Sequence, residues 1–220
     1  MNYKESIPIP RRDNDEKLEQ IAASFIDKYF WGKTPHTIER VYDKERQFAG
    51  EDLIVNGKLI IDEKVKNASH INKRANAPSV EILTTDNATH TYDCKGWFIK
   101  PDMKTNVYAF ITIYSTNTNP NTIKEEDITE VEYFMFPKKG LTNYIGNDIY
   151  ESLWDEAVDL KHNGTPNHNG KITRKVGQHF LSYSFKKREQ PVNYVIPWED
   201  LDTIPHMQYS ITRDGFRKIA

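Results

Sequence analysis

Asp52 stands ten residues ahead of the triplet Asp62-Glu63-Lys64. Two carboxylates with a lysine beside them suit a hard divalent cation such as Mg²⁺, with Mn²⁺ as a substitute. Such an ion takes a few protein oxygens, keeps several waters and bridges to phosphate. It would activate a water and neutralise charge on a phosphodiester, and a lysine two residues on could orient that water or stabilise the anionic transition state. The competing reading is a solvated strand end, which a chain with 28% charged residues also produces.

The two readings differ in what they ask of the backbone. Leu53-Ile54-Val55 is β-prone and runs into Asn56-Gly57, the strongest short hairpin signal, after which Lys58 to Lys66 returns as a second strand. Alternation puts Asp62 and Lys64 on one face and Glu63 on the other. A two-residue Asn56-Gly57 turn pairs Val55 with Lys58, sets Asp52 opposite Ile61 and leaves the two aspartates on different faces. A three-residue loop Val55-Asn56-Gly57 pairs Asp52 with Ile60 and makes Asp62 its diagonal neighbour on the same face. A metal site therefore demands an odd-length loop or a bulge.

Other elements must hold this hairpin. Leu18, Ile21, Ala22, Phe25, Ile26 and Tyr29 form one apolar stripe, predicting a helix over Glu16 to Trp31 with Asp13 or Asn14 as N-cap and Gly32 as its stop. Residues 38–43, Ser79 to Thr84, Gly96 to Lys100, Val107 to Ser115, Thr129 to Phe136, His179 to Phe185 and Val192 to Ile196 read as strands, with Val107 to Ser115 apolar enough to lie centrally. Tyr150 to Leu160 predicts a second helix, and residues 162–170 a loop. The expected class is α/β: a mixed central sheet with flanking helices and a β-rich C-terminal extension.

The stretch DKERQFAGEDLIVNGKLIIDEKVK, together with the order helix, strand, Asp strand, D-x-K strand, resembles the PD-(D/E)xK nuclease superfamily. The resemblance spans roughly residues 15 to 66. Glu51 replaces the proline that names the motif, and the middle of the triplet, usually apolar, is Glu63. The resemblance implies a restriction-endonuclease-like fold and a nuclease acting on DNA with Mg²⁺, with Asp52 and Asp62 as metal ligands and Lys64 as the charge-stabilising residue. It also implies a helix acid joining the site, for which Glu19 or Asp15 is placed. On this basis the chain reads as a single nuclease-like domain, core about 15–136 and extension about 137–220. Hydrolysis of both strands of a duplex would suit a homodimer.

Candidate phosphate contacts are Lys66, Gln47, and Lys100, Lys104 and Thr105 around Pro101-Asp102, where the competing reading is a surface loop. From Lys161 to Gln190, Lys161, Lys171, Arg174, Lys175, Lys186, Lys187 and Arg188 face a single acid, Glu189, so Arg174 and Lys175 are candidate DNA contacts. A solvated hairpin accounts for them equally well. A nuclease-like module that has lost catalysis and binds DNA or a protein is the alternative function.

Length and composition bound these readings. In 220 residues, 37% hydrophobic and 12% aromatic, a real core can form, which excludes a disordered chain. A net charge of -2 gives no global field for nucleic acid, so any such surface is local. The single Cys94 excludes a disulfide framework and sits in no nucleophile motif, while His162 and His168 lack metal-ligand spacing. The longest nearly apolar stretch, Val107 to Tyr114, is too short to span a bilayer. The charged first 17 residues have no apolar run, so the expectation is a cytoplasmic protein with no membrane partner.

Overall fold

The computed structural model describes residues 10–65, 78–85, 92–119, 122–167, 170–185, 187 and 189–220, with side chains from residue 17 onward. Helix α1 (Pro10–Tyr29) buries Leu18, Ala22, Phe25 and Ile26. Each of these larger apolar side chains contributes roughly 1.5–3 kcal/mol by leaving water. The helix starts ahead of the expected cap, so Asp13 and Asn14 lie inside it. Proline suits a first helical residue because its fixed φ and missing N–H cost nothing there. Gly32 sits within a 3₁₀ turn, Trp31–Lys33, rather than at a simple helix stop.

Strand β1 (Ile38–Arg40) leads to a short helix α2 (Lys44–Phe48), whose N-cap Asp43 accepts the Arg46 N–H at 2.9 Å. The hairpin follows as β2 (Leu53–Val55) and β3 (Leu59–Val65). Then come β4 (Ser79–Thr85), β5 (Asp93–Lys95), β6 (Val107–Ser115) and β7 (Ile128–Pro137). Helices α3 (Lys138–Ile145) and α4 (Asn147–Asn163) precede β8 (Ile172–Val176), β9 (His179–Tyr183) and β10 (Val192–Val195). A short α5 (Trp198–Leu201) and the hairpin β11 (Met207–Thr212) and β12 (Gly215–Lys218) end the chain.

The fold is α/β with a mixed seven-stranded sheet, β1-β2-β3-β6-β7-β11-β12, in which β3 and β6 run parallel and the other neighbours antiparallel. A second, antiparallel sheet has the order β5-β4-β10-β9-β8. Strands from the C-terminal third complete both. All nine residues of β6 are buried because both faces of the first sheet are covered. Val107, Ala109, Ile111 and Ile113 join the core under α1, whereas Tyr108 and Phe110 join the core shared with the second sheet and α4.

The predicted strand Gly96 to Lys100 is instead a turn, closed by bonds from the Ile99 and Lys100 N–H groups to the Gly96 carbonyl. The strand lies just before it, at Asp93–Lys95. Gly96 cannot continue that strand because the chain passes against β4, where a Cβ on Gly96 would lie 2.4 Å from the Glu81 carbonyl.

Candidate active site

Three residues, Asn56, Gly57 and Lys58, close the hairpin, with Leu53, Ile54 and Val55 paired to Ile61, Ile60 and Leu59. The loop is odd in length but begins one residue later than Val55-Asn56-Gly57. Asn56 and Gly57 both adopt positive φ, 52° and 66°, which Asn and Gly tolerate best. Beyond Leu53 the ladder turns irregular: the Asp52 N–H donates to the Ile61 carbonyl at 3.1 Å, and the Asp52 carboxyl comes beside that of Asp62. Asp52 Oδ2 accepts the Glu63 N–H at 2.8 Å, fixing its carboxylate across the strand pair.

Asp62 is 1% exposed, its Oδ1 takes the Lys64 ammonium, and its Oδ2 has no hydrogen-bond partner among the described residues. Burial pushes the Asp52 carboxyl up to about 7; attraction to Lys64 opposes this and repulsion from Asp62 adds to it. Burial alone would lower the Lys64 ammonium, but the Asp62 and Asp52 charges outweigh it and hold lysine protonated above its usual range. Glu19, exposed on α1, adds to the same field as its smallest contribution. For Asp15 only the backbone, within α1, is described.

Glu63 points to the opposite face, toward α1. There Arg40 pairs with both Glu63 and Asp27, and the Tyr133 hydroxyl donates to Glu63 at 2.8 Å. The charge in the middle of the triplet is thus neutralised where an apolar residue would otherwise pack.

Glu51 is buried between Arg46 (2.8 Å) and Lys104 (2.8 Å), whose hydrogen bonds hold its carboxyl below the usual range. Lys104 therefore braces the entry to the Asp strand in this structure. Gln47 likewise turns inward, donating to the Val41 carbonyl at 2.9 Å. The buried Thr105 hydroxyl donates to the Gly50 carbonyl, and Gly50, at φ 77°, leaves no room for a Cβ, which would fall 2.1 Å from Thr105 Oγ1. Lys100 pairs with Asp102 at 3.4 Å.

Three neighbours had little signal in the sequence. The Lys64 ammonium lies 5.0 Å from the Trp97 ring centroid, a cation–π contact, and that ring packs on Tyr108 at 4.9 Å. Glu81, on β4, accepts the Trp97 backbone N–H, and burial pushes its carboxyl up to about 7 against the attraction of Lys64. Tyr108 sits beside Asp62 in the β3–β6 register; burial and the Asp62 charge raise its phenol far above the usual range, so it stays protonated. Glu81 is the lone charge in an otherwise neutral strand, and a single acid there was the only available clue.

A folded-state pKa raised above 4.5 means that the native protein binds the proton more tightly than the unfolded chain. The Glu81 contribution to stability is complete below pH 4.5 and is lost as pH rises through about 7. Glu81→Gln is expected to recover on the order of 2–3 kcal/mol at pH 8 and little at pH 5, read as the difference in urea midpoints at the two pH values. Equal effects at both would overturn this assignment.

Of the described basic residues between 161 and 190, Lys187 acts on the Glu81 carboxyl, while Arg174 and Lys161 are paired elsewhere. Arg174 on β8 pairs with Glu156 at 2.9 Å and with Asp159, both on α4, while Lys175 is exposed. β8 is an edge strand three positions from β4, roughly 14 Å at the usual strand spacing. Lys161 pairs with Asp93, and His162 meets Asp93 at 2.8 Å. Cys94 is free. Lys66, His168, Lys186 and Arg188 lie outside the described residues.

Among the described residues no group of three or more His, Cys, Asp or Glu side chains is arranged to hold a metal ion. Two adjoining carboxylates with an orphaned oxygen nevertheless fit Mg²⁺, which is commonly held by one or two carboxylates plus water and substrate phosphate. No helix among the described residues is long and apolar enough to cross a membrane. The chain matches no family model, no curated protein and no solved structure.

Proposed function

We propose that this chain is a divalent-cation-dependent nuclease of the PD-(D/E)xK, restriction-endonuclease-like type, acting on DNA phosphodiester bonds. The observation that carries the reading is the hairpin end that brings the Asp52 and Asp62 carboxyls together, with Lys64 between Asp62 and Trp97. The order α1, β1, β2, β3, with the short α2 inserted before β2, supports the reading.

Asp52 and Asp62 would hold Mg²⁺ or Mn²⁺. When bound, the cation supplies Lewis-acid activation of water and neutralises phosphate charge. Asp52 is positioned by the Glu63 N–H, and Asp62 by the Lys64 ammonium and the wall of β6. Lys64 places a positive charge where the phosphorane-like transition state gains negative charge. Glu19 is suited to tune that ammonium from α1. Lys175 remains a candidate backbone contact and a homodimer a suitable assembly for cutting both strands.

The test is incubation of supercoiled and linear DNA with Mg²⁺ or Mn²⁺, with an EDTA control, alongside thermal melts with and without the cation. The expected result is cation-dependent nicking and a melting temperature raised by Mg²⁺, more at pH 8 than at pH 6 because the ion competes with a proton at Asp52. DNA retardation on a gel without cleavage would instead favour a binding module that has lost catalysis. Neither cleavage nor retardation would overturn both readings.

A further inference from the structure

Two buried polar atoms at the carboxylate site have no hydrogen-bond partner among the described residues: Asp62 Oδ2 and the Tyr108 hydroxyl. The residues that carry them are neighbours, since Asp62 pairs with Tyr108 across the parallel strands β3 and β6 and its charge acts on the Tyr108 phenol. The hydroxyl of Thr105, the polar side chain that adjoins Tyr108, gives its hydrogen to the Gly50 carbonyl at 3.1 Å and has only its oxygen to offer the phenol. Packing of the Tyr108 ring between Trp97 at 4.9 Å and Phe98 at 5.7 Å fixes where its hydroxyl points. Leaving a buried hydroxyl unsatisfied is costly, a cost borne more readily where a ligand later supplies the partner.

Lys138 completes the cluster. Tyr108 is opposite Phe136 on β7, and Lys138, two residues on, opens α3 at the same end of the sheet. Its backbone N–H donates to Asn106, the residue that also clasps Ile60 on β3. Its ammonium is half-buried within range of the Asp62 charge and reaches the Met103 carbonyl only at 3.5 Å, a long and weak contact.

The orphan pair is one acceptor and one donor, with a cation alongside. Building on the nuclease reading, we infer that Tyr108 and Lys138 form the phosphate-receiving side of the site: the Tyr108 hydroxyl donates to, and the Lys138 ammonium pairs with, a non-bridging oxygen of the phosphodiester. Asp62 Oδ2 is left to the divalent ion. Cation and substrate together would thus satisfy both atoms, the ion at Asp62 Oδ2 and the phosphate oxygen at the Tyr108 hydroxyl.

The test uses the full chain and its Tyr108→Phe and Lys138→Met variants. Without metal, Tyr108→Phe should melt at or above the native temperature, because the lost hydroxyl had no partner. With Mg²⁺ it should cleave at least about ten times more slowly at near-native half-saturating DNA, the mark of an interaction made in the transition state. Binding of Lys138→Met to a linear duplex with Ca²⁺ in place of Mg²⁺ should lose close to one charge from the slope of log affinity against log salt. A native chain that cleaves while Tyr108→Phe matches its rate and Lys138→Met keeps its slope overturns this inference alone. A native chain that neither cleaves nor gains stability from Mg²⁺ overturns the nuclease reading on which it rests.

Discussion

Asp62→Asn is expected to reduce cation-dependent DNA cleavage by about 10³-fold or more, on the scale of the several kcal/mol that metal-held charge supplies to a transition state. The substitution keeps the shape of the side chain and leaves an oxygen for the Lys64 ammonium, but it removes the charge that would retain a divalent ion at the orphaned Oδ2. It also removes the repulsion that helps hold the Asp52 carboxyl near 7. The metal-free fold should therefore change little, while the gain in melting temperature on adding Mg²⁺ disappears. Lys64→Met should be as inactive but less stable, since it strands a buried carboxylate without its cation. Retained cleavage in Asp62→Asn would rule out the site, and loss of cleavage with an unchanged Mg²⁺-induced shift would separate Asp62 from metal retention.

The second large effect lies on the opposite face of β3. Arg40→Met should cost about 3–5 kcal/mol, because it leaves Glu63 and Asp27 without their shared guanidinium. The Arg40 and Glu63 side chains are only 11% and 8% exposed, so water cannot make up the loss, and the Tyr133 hydroxyl alone remains on Glu63. The double variant Arg40→Met/Glu63→Gln should recover much of the stability, since an uncharged amide beside Tyr133 needs no counter-ion. Urea unfolding of the two variants and the native chain checks both statements. A cost below about 1 kcal/mol for Arg40→Met would mean that α1 yields enough to hydrate the pair.

Which parts of this arrangement were legible in the sequence follows from the range of the forces involved. The hairpin, α1 and the central β6 depend on local turn chemistry and periodicity, and each is found where the residues point. The hairpin register was not decided, because Asn56-Gly57 can close a two-residue or a three-residue loop; pairing of Val55 with Leu59 is settled by which face of β3 the sheet must bury. Glu81, Trp97, Tyr108 and Lys138 come together only through pairing between distant segments, which no local pattern records. The turn at Gly96 was mistaken for a strand because Trp97, Phe98 and Ile99 are β-prone, whereas close passage against β4 bends them. Arg174 looked like a free phosphate contact until α4 supplied Glu156 and Asp159.

The parallel pairing of β3 with β6 separates the motif from the site in time. The hairpin that carries Asp52, Asp62 and Lys64 can close on its own within microseconds, as short antiparallel loops do. The wall that buries Asp62 arrives only when β6 docks, across an intervening chain that gives β4 and β5 to the other sheet. That ordering joins a long closure to a non-local contact, the combination that slows folding most. A nascent chain released before Val107 would hold the complete acid-lysine signature on a solvated ribbon and have no catalytic pocket, so the hydrolytic power inferred here belongs to the finished topology and would be withheld until synthesis has passed it.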